Sequence, residues 1–217
     1  MNEIIFGIGA AVVIVAVLLI AWRFERRRNE ELKRQARVLG YDYAEQDDGL
    51  LENLLPKLHL FGQGHSRKAR NRMRTQSGGA EMIFFDFRYR TGGGQHSNNH
   101  QQSVVAFHDP GLSLPAFELR PENVFHRIGS ALGYQDIDFP SHPDFSRRYL
   151  LRGEDENAIR KLFTAPIARF FAKRKGWSVE SGGEWLIVYR HRRRVRPAEL
   201  RRFLKSTEEI KRVLAGE

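Results

Sequence analysis

From Ile4 to Trp22 the chain reads IIFGIGAAVVIVAVLLIAW, nineteen residues without a charge. As a helix rising ~1.5 Å per residue such a run spans roughly 28 Å, close to the hydrocarbon thickness of a bilayer. Arg23-Phe24-Glu25-Arg26-Arg27-Arg28 follows at once. A secretory leader would carry its basic residues ahead of the apolar stretch and a small-residue cleavage site behind it, the reverse of this order. The run therefore reads as one transmembrane anchor over residues 1–22, with Trp22 at the interface. Met1-Asn2-Glu3 precede it, whereas Arg23, Arg26, Arg27, Arg28, Lys33 and Arg34 lie behind it. That charge asymmetry places the N-terminus outside and the rest of the chain in the cytoplasm, at the inner membrane if the cell is bacterial.

The remainder of the 217 residues suffices for one domain. No cysteine is present, which excludes disulfides, thiolate metal ligands and a cysteine nucleophile. The formal charge of +10 favours contact with polyanions, either lipid headgroups or nucleic acid.

Glu25 to Val38 is charged nearly all round, with Leu32, Ala36 and Leu39 as a thin apolar line. This predicts a basic helical stalk over 23–40, closed by Gly40, and a domain over 41–217. Leu50, Leu51, Leu54 and Leu55 form a short helical patch stopped by Pro56. Strands follow. In EMIFFDFRYR, Ile83, Phe85, Phe87 and Tyr89 share one face, while Met82, Phe84, Asp86, Arg88 and Arg90 share a half-polar one. Ala69–Gln76 should pair with it through Ser77-Gly78-Gly79, and further strands are expected at 103–108, 116–119 and 149–152.

Pro121 with Val124, Phe125, Ile128 and Leu132 predicts a helix. A second runs from about Asp155 to Arg174, broken or kinked at Pro166. A Ser181-Gly182-Gly183 hairpin and a final helix from Pro197 complete the chain, the helix turning Leu200, Phe203, Leu204, Ile210, Val213 and Leu214 inward. The fold class is α+β: a mainly antiparallel sheet with helices packed on one face.

Candidate chemistry is sparse. Gly92-Gly93-Gly94 lacks the Lys-Ser/Thr of a P-loop. Gly62-Gln63-Gly64 ahead of Arg67 and Lys68 has the composition of a phosphate cradle or of a plain turn. His96 and His100 lie in a loop composition, where spacing of four does not align two imidazoles. Asp136, Asp138, His142 and Asp144 offer oxygen and imidazole ligands, or an acid–base pair, to a hydrolytic enzyme; the competing reading is a loop pinned by Phe139 and Phe145 with Asx turns. No cofactor and no metal site is assigned. The densest feature is basic: Arg190, Arg192, Arg193, Arg194 and Arg196, then Arg201 and Arg202. Each is a candidate contact to anionic lipid, worth on the order of 1 kcal/mol near the surface. Tyr189 and Phe203 would be stacking platforms for a nucleic acid, but both fall on apolar stripes.

Phe85-Asp86-Phe87-Arg88-Tyr89 with Thr91-Gly92, Asp136-Ile137-Asp138-Phe139, and Tyr149 to Glu156 together resemble an uncharacterised group of small bacterial proteins with one N-terminal span. The resemblance implies the architecture and carries over no catalytic residue. The expected function is a membrane-tethered, non-enzymatic interaction module whose basic surface faces anionic headgroups and whose remaining surface meets a protein partner. The alternatives are an enzyme centred on Asp136–Asp144 and a tethered nucleic-acid binder.

Overall fold

The structure, a computed structural model, describes residues 2–47, 49–54, 57–122 and 136–216, with side chains for all of these except 2–11 and Gln95. One 38-residue helix, α1 (Asn2–Leu39), runs unbroken through the apolar stretch and the charged one. It closes at Gly40, which adopts φ +71°; its N–H donates to Arg37 O (3.1 Å) and the Tyr41 N–H to Ala36 O (2.9 Å). Those two bonds satisfy the last carbonyls, and the left-handed turn they need costs glycine little. The charged half of α1 is not a free stalk. Leu32 and Ala36 are completely buried in the larger core, and Leu39 packs on its margin.

Eight strands form one sheet, in the order β1 (Asp42–Gln46), β2 (His65–Ser77), β3 (Ala80–Thr91), β4 (Asn98–His108), β8 (Trp185–Tyr189), β7 (Ser178–Gly182), β5 (Phe117–Pro121), β6 (Tyr149–Arg152). Every neighbouring pair is antiparallel. The two Ser-Gly-Gly turns close the β2–β3 and β7–β8 hairpins as the sequence predicts. Pro121 ends β5 and Glu122 directly behind it is helical, while positions 124, 125, 128 and 132 of the expected helix lie outside the described residues.

Alternation along β3 separates two cores. Met82 and Phe84 point into the larger one, with α1, α4 (Pro143–Ser146), α5 (Glu156–Leu162), α6 (Ala165–Lys173) and α7 (Leu200–Ala215). Ile83, Phe85, Phe87 and Tyr89 point into the other, closed by α2 (Gly49–Leu54) and α3 (His59–Gly62). Helices therefore cover both faces, not one. A sheet face carrying Ile83, Phe85, Val104 and Ile187 cannot be left in water, and Leu50, Leu51, Leu54, Leu58, Leu60 and Phe61 cover it. The helix expected over 155–174 is split as Pro166 requires: α5 is capped by Asp155, which accepts from Ala158 N–H (2.9 Å), and α6 starts afresh with Pro166 in its first turn.

Candidate functional site

The strand registers and the docking of α1 fix which end of the sheet faces the apolar helix. Going up α1 from Ala36 toward the N-terminus, Leu32 shares a core with Met73, Asn29 bonds Asn71, Arg28 bonds Asp86, and Glu25 bonds Arg194. These partners step toward the start of β2, the end of β3 and the chain beyond β8. By the pairings Lys68↔Arg88, His65↔Arg90, Arg88↔Gln101 and Ser178↔Tyr189, that end carries Arg67, Lys68, Arg88, Arg90 and Arg190 to Arg196. Arg174 and Lys175, ahead of β7, and Arg147 and Arg148, ahead of β6, join them. The opposite end carries Asp42, Glu81, Asp109, Glu184 and the Glu154-Asp155-Glu156 cluster. Three of its cations are neutralised there: Arg72 by Asp42, Arg74 by Glu81 and Lys211 by Asp109, all at 2.8 Å. Cations thus outnumber acids at the end toward the apolar part of α1, where Glu45, Asp47 and Glu122 are the acids interspersed among them.

A buried polar cluster holds this geometry. Arg28 donates to both Asp86 oxygens (2.6 and 3.1 Å) and to Val195 O (2.9 Å). Ser103 Oγ (2.6 Å) and Asn71 Nδ2 (3.0 Å) also donate to Asp86, and Tyr43 O–H donates to Asn71 Oδ1 (2.8 Å). Asp86 is thereby fully paired in a site from which water is nearly excluded, which a carboxylate needs in order to stay there. Sequence reasoning missed this group. Its signal was an acid inside the Met82–Phe84 face, whose partner could not be named from 58 residues away.

The seven arginines expected to face lipid divide. Arg194 grips Glu25 (2.6 and 2.9 Å) and Gln101 (3.1 Å). Burial works against its charge, but the Glu25 bond and the nearby Asp86 outweigh it and raise its pKa. Arg192 donates to His100 Nδ1 (3.0 Å), and Arg190 lies over the Trp177 ring at 4.4 Å. Those three have inward partners, so the segment is a laced loop rather than a bare cationic tail. Arg193, Arg196, Arg201 and Arg202 are exposed. Arg193 O accepts from Ser103 N–H (3.0 Å) and Val195 N–H donates to Ser103 Oγ (2.9 Å), which fixes the loop against β4. Beside it, a groove of about 450 Å³ is lined by Trp177, Phe203, Arg190, Arg193 and Arg202. Tyr189 is buried, and Phe203, packed against Trp177 and Phe84, reaches the groove without an open ring face, so neither is a platform for stacking a base.

The acidic loop is not assembled as a site. Asp136 Oδ1 accepts from Leu151 N–H (2.9 Å), and burial raises its pKa. Asp138 and Asp144 are exposed, and Asp144 pairs with Arg147. His142 and Asp144 line one shallow groove that Asp136 and Asp138 do not reach. Phe139 and Phe145 are buried against each other, edge to face at 5.6 Å. His100 is stacked on Tyr89 (4.6 Å) with both ring nitrogens bonded, Nε2 to Thr91 Oγ1 (2.7 Å) and Nδ1 to Arg192, so it offers no free ligand atom. The Gly62–Gly64 loop turns its carbonyls, not its amides, to a cation: Arg67 donates to Gly62 O (2.7 Å), Gln63 O (3.1 Å) and Gly64 O (2.6 Å).

One metal-like arrangement does occur among the described residues. Ligand atoms of His59, Glu118 and Glu180 lie within 4.8 Å of one another. Arg120 occupies the space between them. It pairs with Glu118, sits 2.9 Å from His59 Nδ1 and 3.7 Å from Glu180 Oε1. Burial opposes its charge, but Tyr189, Glu118 and Glu180 raise its pKa, so it is a fixed cation. Burial pushes the Glu118 carboxyl up, but its hydrogen bond from His59 and the charges of Arg120 and Arg152 bring it below the usual range. Glu180 is pushed up by burial and by the Glu118 charge, while Tyr189 O–H (2.8 Å) and Leu60 N–H (2.9 Å) donate to it. A guanidinium already supplies the positive charge that a metal would bring.

No protein-family model matches the chain, and no curated protein sequence matches it significantly. Among solved structures the fold is similar to the crystal structure of the mycobacterial trehalose monomycolate transport factor A, with a TM-score of 0.64 and 14% identity, covering 87% of this chain and 95% of that one. At that identity the likeness is one of fold.

Proposed function

We propose that the protein is a membrane-tethered, non-enzymatic module whose α1 crosses the bilayer and whose α+β domain presents its basic end to anionic headgroups on the cytoplasmic side. The observation that carries this reading is the coincidence of two polarities: the apolar part of α1 leaves the sheet at the end where its basic residues gather. Among the described residues no helix is long and apolar enough to cross a membrane. The described side chains begin at Val12, and from there Val12, Ile14, Leu18 and Trp22 all stand exposed, with Ile14 at 60% and Leu18 at 63%. In water such a surface is costly; in lipid it is not. Glu25 on the loop arginine Arg194 puts the basic end about one helical turn from Trp22, roughly 5 Å along the axis. The similar fold is that of a trehalose monomycolate transport factor, which is compatible with a non-enzymatic, membrane-associated role.

The test is a C-terminal reporter active only outside the cytoplasm, combined with alkaline extraction of membranes. The full chain should stay in the membrane fraction and the reporter should be silent. Release by carbonate or strong reporter activity overturns the anchor or its orientation respectively.

A further inference from the structure

Three arginines converge on the groove beside α7, none of them in an ion pair among the described residues, although Glu199 and Glu209 also line it. Arg190, from the end of β8, Arg193, from the loop beyond it, and Arg202, from the first turn of α7, line one cavity of about 450 Å³. Of the other charged groups of that cavity, Arg174 pairs with Glu209 and Arg194 with Glu25, while Glu199 stands exposed 4.0 Å from Arg196 and is the groove acid whose charge acts on Arg190. Trp177 and Phe203 stack at 5.4 Å to make an apolar floor, and the Arg190 guanidinium carbon lies 4.4 Å from the centre of the Trp177 ring. Arg190 Nε is buried without a hydrogen-bond partner. Burial, then Arg193 and Arg202, lower the Arg190 pKa against the opposing pull of Tyr149 and Glu199, so its counter-charge is incomplete.

We propose that this groove is a binding site for a single phosphate group, with Arg190, Arg193 and Arg202 on its oxygens and the Trp177–Phe203 floor under the adjoining carbon chain. Planar guanidiniums suit phosphate oxygens, and an aromatic floor suits an aliphatic neighbour better than a second charge. The proposal rests on the membrane-facing reading only for the source of the phosphate, a lipid headgroup; a soluble phosphate ester shares the chemistry. A discrete groove also differs from a diffuse basic surface in what it predicts. The surface uses every exposed arginine alike, whereas the groove excludes Arg196 and Arg201, which do not line it.

The experiment titrates the full chain in detergent micelles by calorimetry with inorganic phosphate, glycerol 3-phosphate, dihexanoyl phosphatidic acid and, as control, dihexanoyl phosphatidylcholine. Saturable binding of a phosphate monoester with one site, weakened about tenfold or more by Arg190→Gln and by Arg202→Gln, is expected. Arg196→Gln and Arg201→Gln should bind as wild type, and Arg190→Lys should recover part of the loss. Binding of phosphatidic acid alone assigns a lipid source; equal binding of glycerol 3-phosphate assigns a soluble one. Arg202 is exposed, so its variant keeps the fold, which cooperative melting verifies. Equal weakening by all four glutamine variants, or no saturable binding of any phosphate probe, overturns the groove. Either result leaves the anchor and the headgroup-facing surface to be judged separately, by extraction and by co-sedimentation with anionic vesicles.

Discussion

Two buried acid–arginine clusters use the same chemistry for opposite purposes. Around Glu118 and Glu180 the charges come from β5, β6 and β7, neighbours in one sheet, with α3 laid across them. Around Asp86 they come from α1, the centre of the sheet and the loop after β8, separated by 58 residues from Arg28 and by 169 between Glu25 and Arg194. The first cluster balances a polar half-face of the sheet. The second is a clamp: it decides where α1 leaves the domain and so which end of the sheet lies beside the apolar helix. A leucine at position 86 would pack α1 well enough, but would not fix its register, because apolar contact tolerates sliding and paired charges do not.

The most severe way to break the contrast is to remove one side of the clamp altogether. A chain beginning at Tyr41 loses Leu32 and Ala36 from the core and leaves Asp86 without Arg28. Burial of one leucine at ~1.5–3 kcal/mol and an uncompensated buried carboxylate at ~3–5 kcal/mol together come to roughly 4.5–8 kcal/mol. Such a chain should aggregate or melt without cooperativity, whereas one beginning at Arg23 should melt cooperatively by calorimetry. Cooperative melting of both would show that the clamp is dispensable.

Arg120→Met should come next, costing ~3–5 kcal/mol in urea unfolding, because it leaves Glu118 and Glu180 buried against each other. Its effect should be global, with hydrogen exchange in α1 changing only as overall stability does. Asp86→Asn should cost less, on the order of 3 kcal/mol, since Asn keeps a carbonyl for Arg28. Here amide exchange over residues 25–36 should accelerate beyond the global loss. If both variants change exchange in the same pattern, the two clusters do not differ in kind.

The smallest effect concerns pH. Burial, then the Arg192 charge, lowers the His100 pKa below its ordinary 6.5. The unfolded chain therefore binds this proton first as pH falls, so the contribution is present above about 6.5 and lost below it. Wild type should lose melting temperature between pH 7 and pH 5, and His100→Gln should lose less. An unchanged slope would mean that other groups carry it.

Much of the architecture was legible because it is periodic or punctuated. The alternation in β3, the two Ser-Gly-Gly turns, the break at Pro166 and the Leu200–Leu214 stripe each follow from a local rule, and each is found. β1 was not foreseen, because Asp42–Gln46 is a largely exposed edge strand with no apolar face to betray it. The α2–α3 cover was read as a leucine patch but not assigned to a second face, since nothing local says which side of a sheet a short helix takes.

What the sequence by itself determined was the uncharged run, its basic flank and the count of charges. Only the tertiary structure decided which arginines are spent. Arg28 and Arg194 look no different from Arg27 and Arg193 in the chain, yet the first two are held by Asp86 and Glu25 while the others stay exposed. A cation's role depends on the nearest carboxylate, and the antiparallel registers bring that carboxylate from far along the chain. The same registers stack the strand ends, so residues scattered from Arg67 to Arg202 become one basic end and one groove.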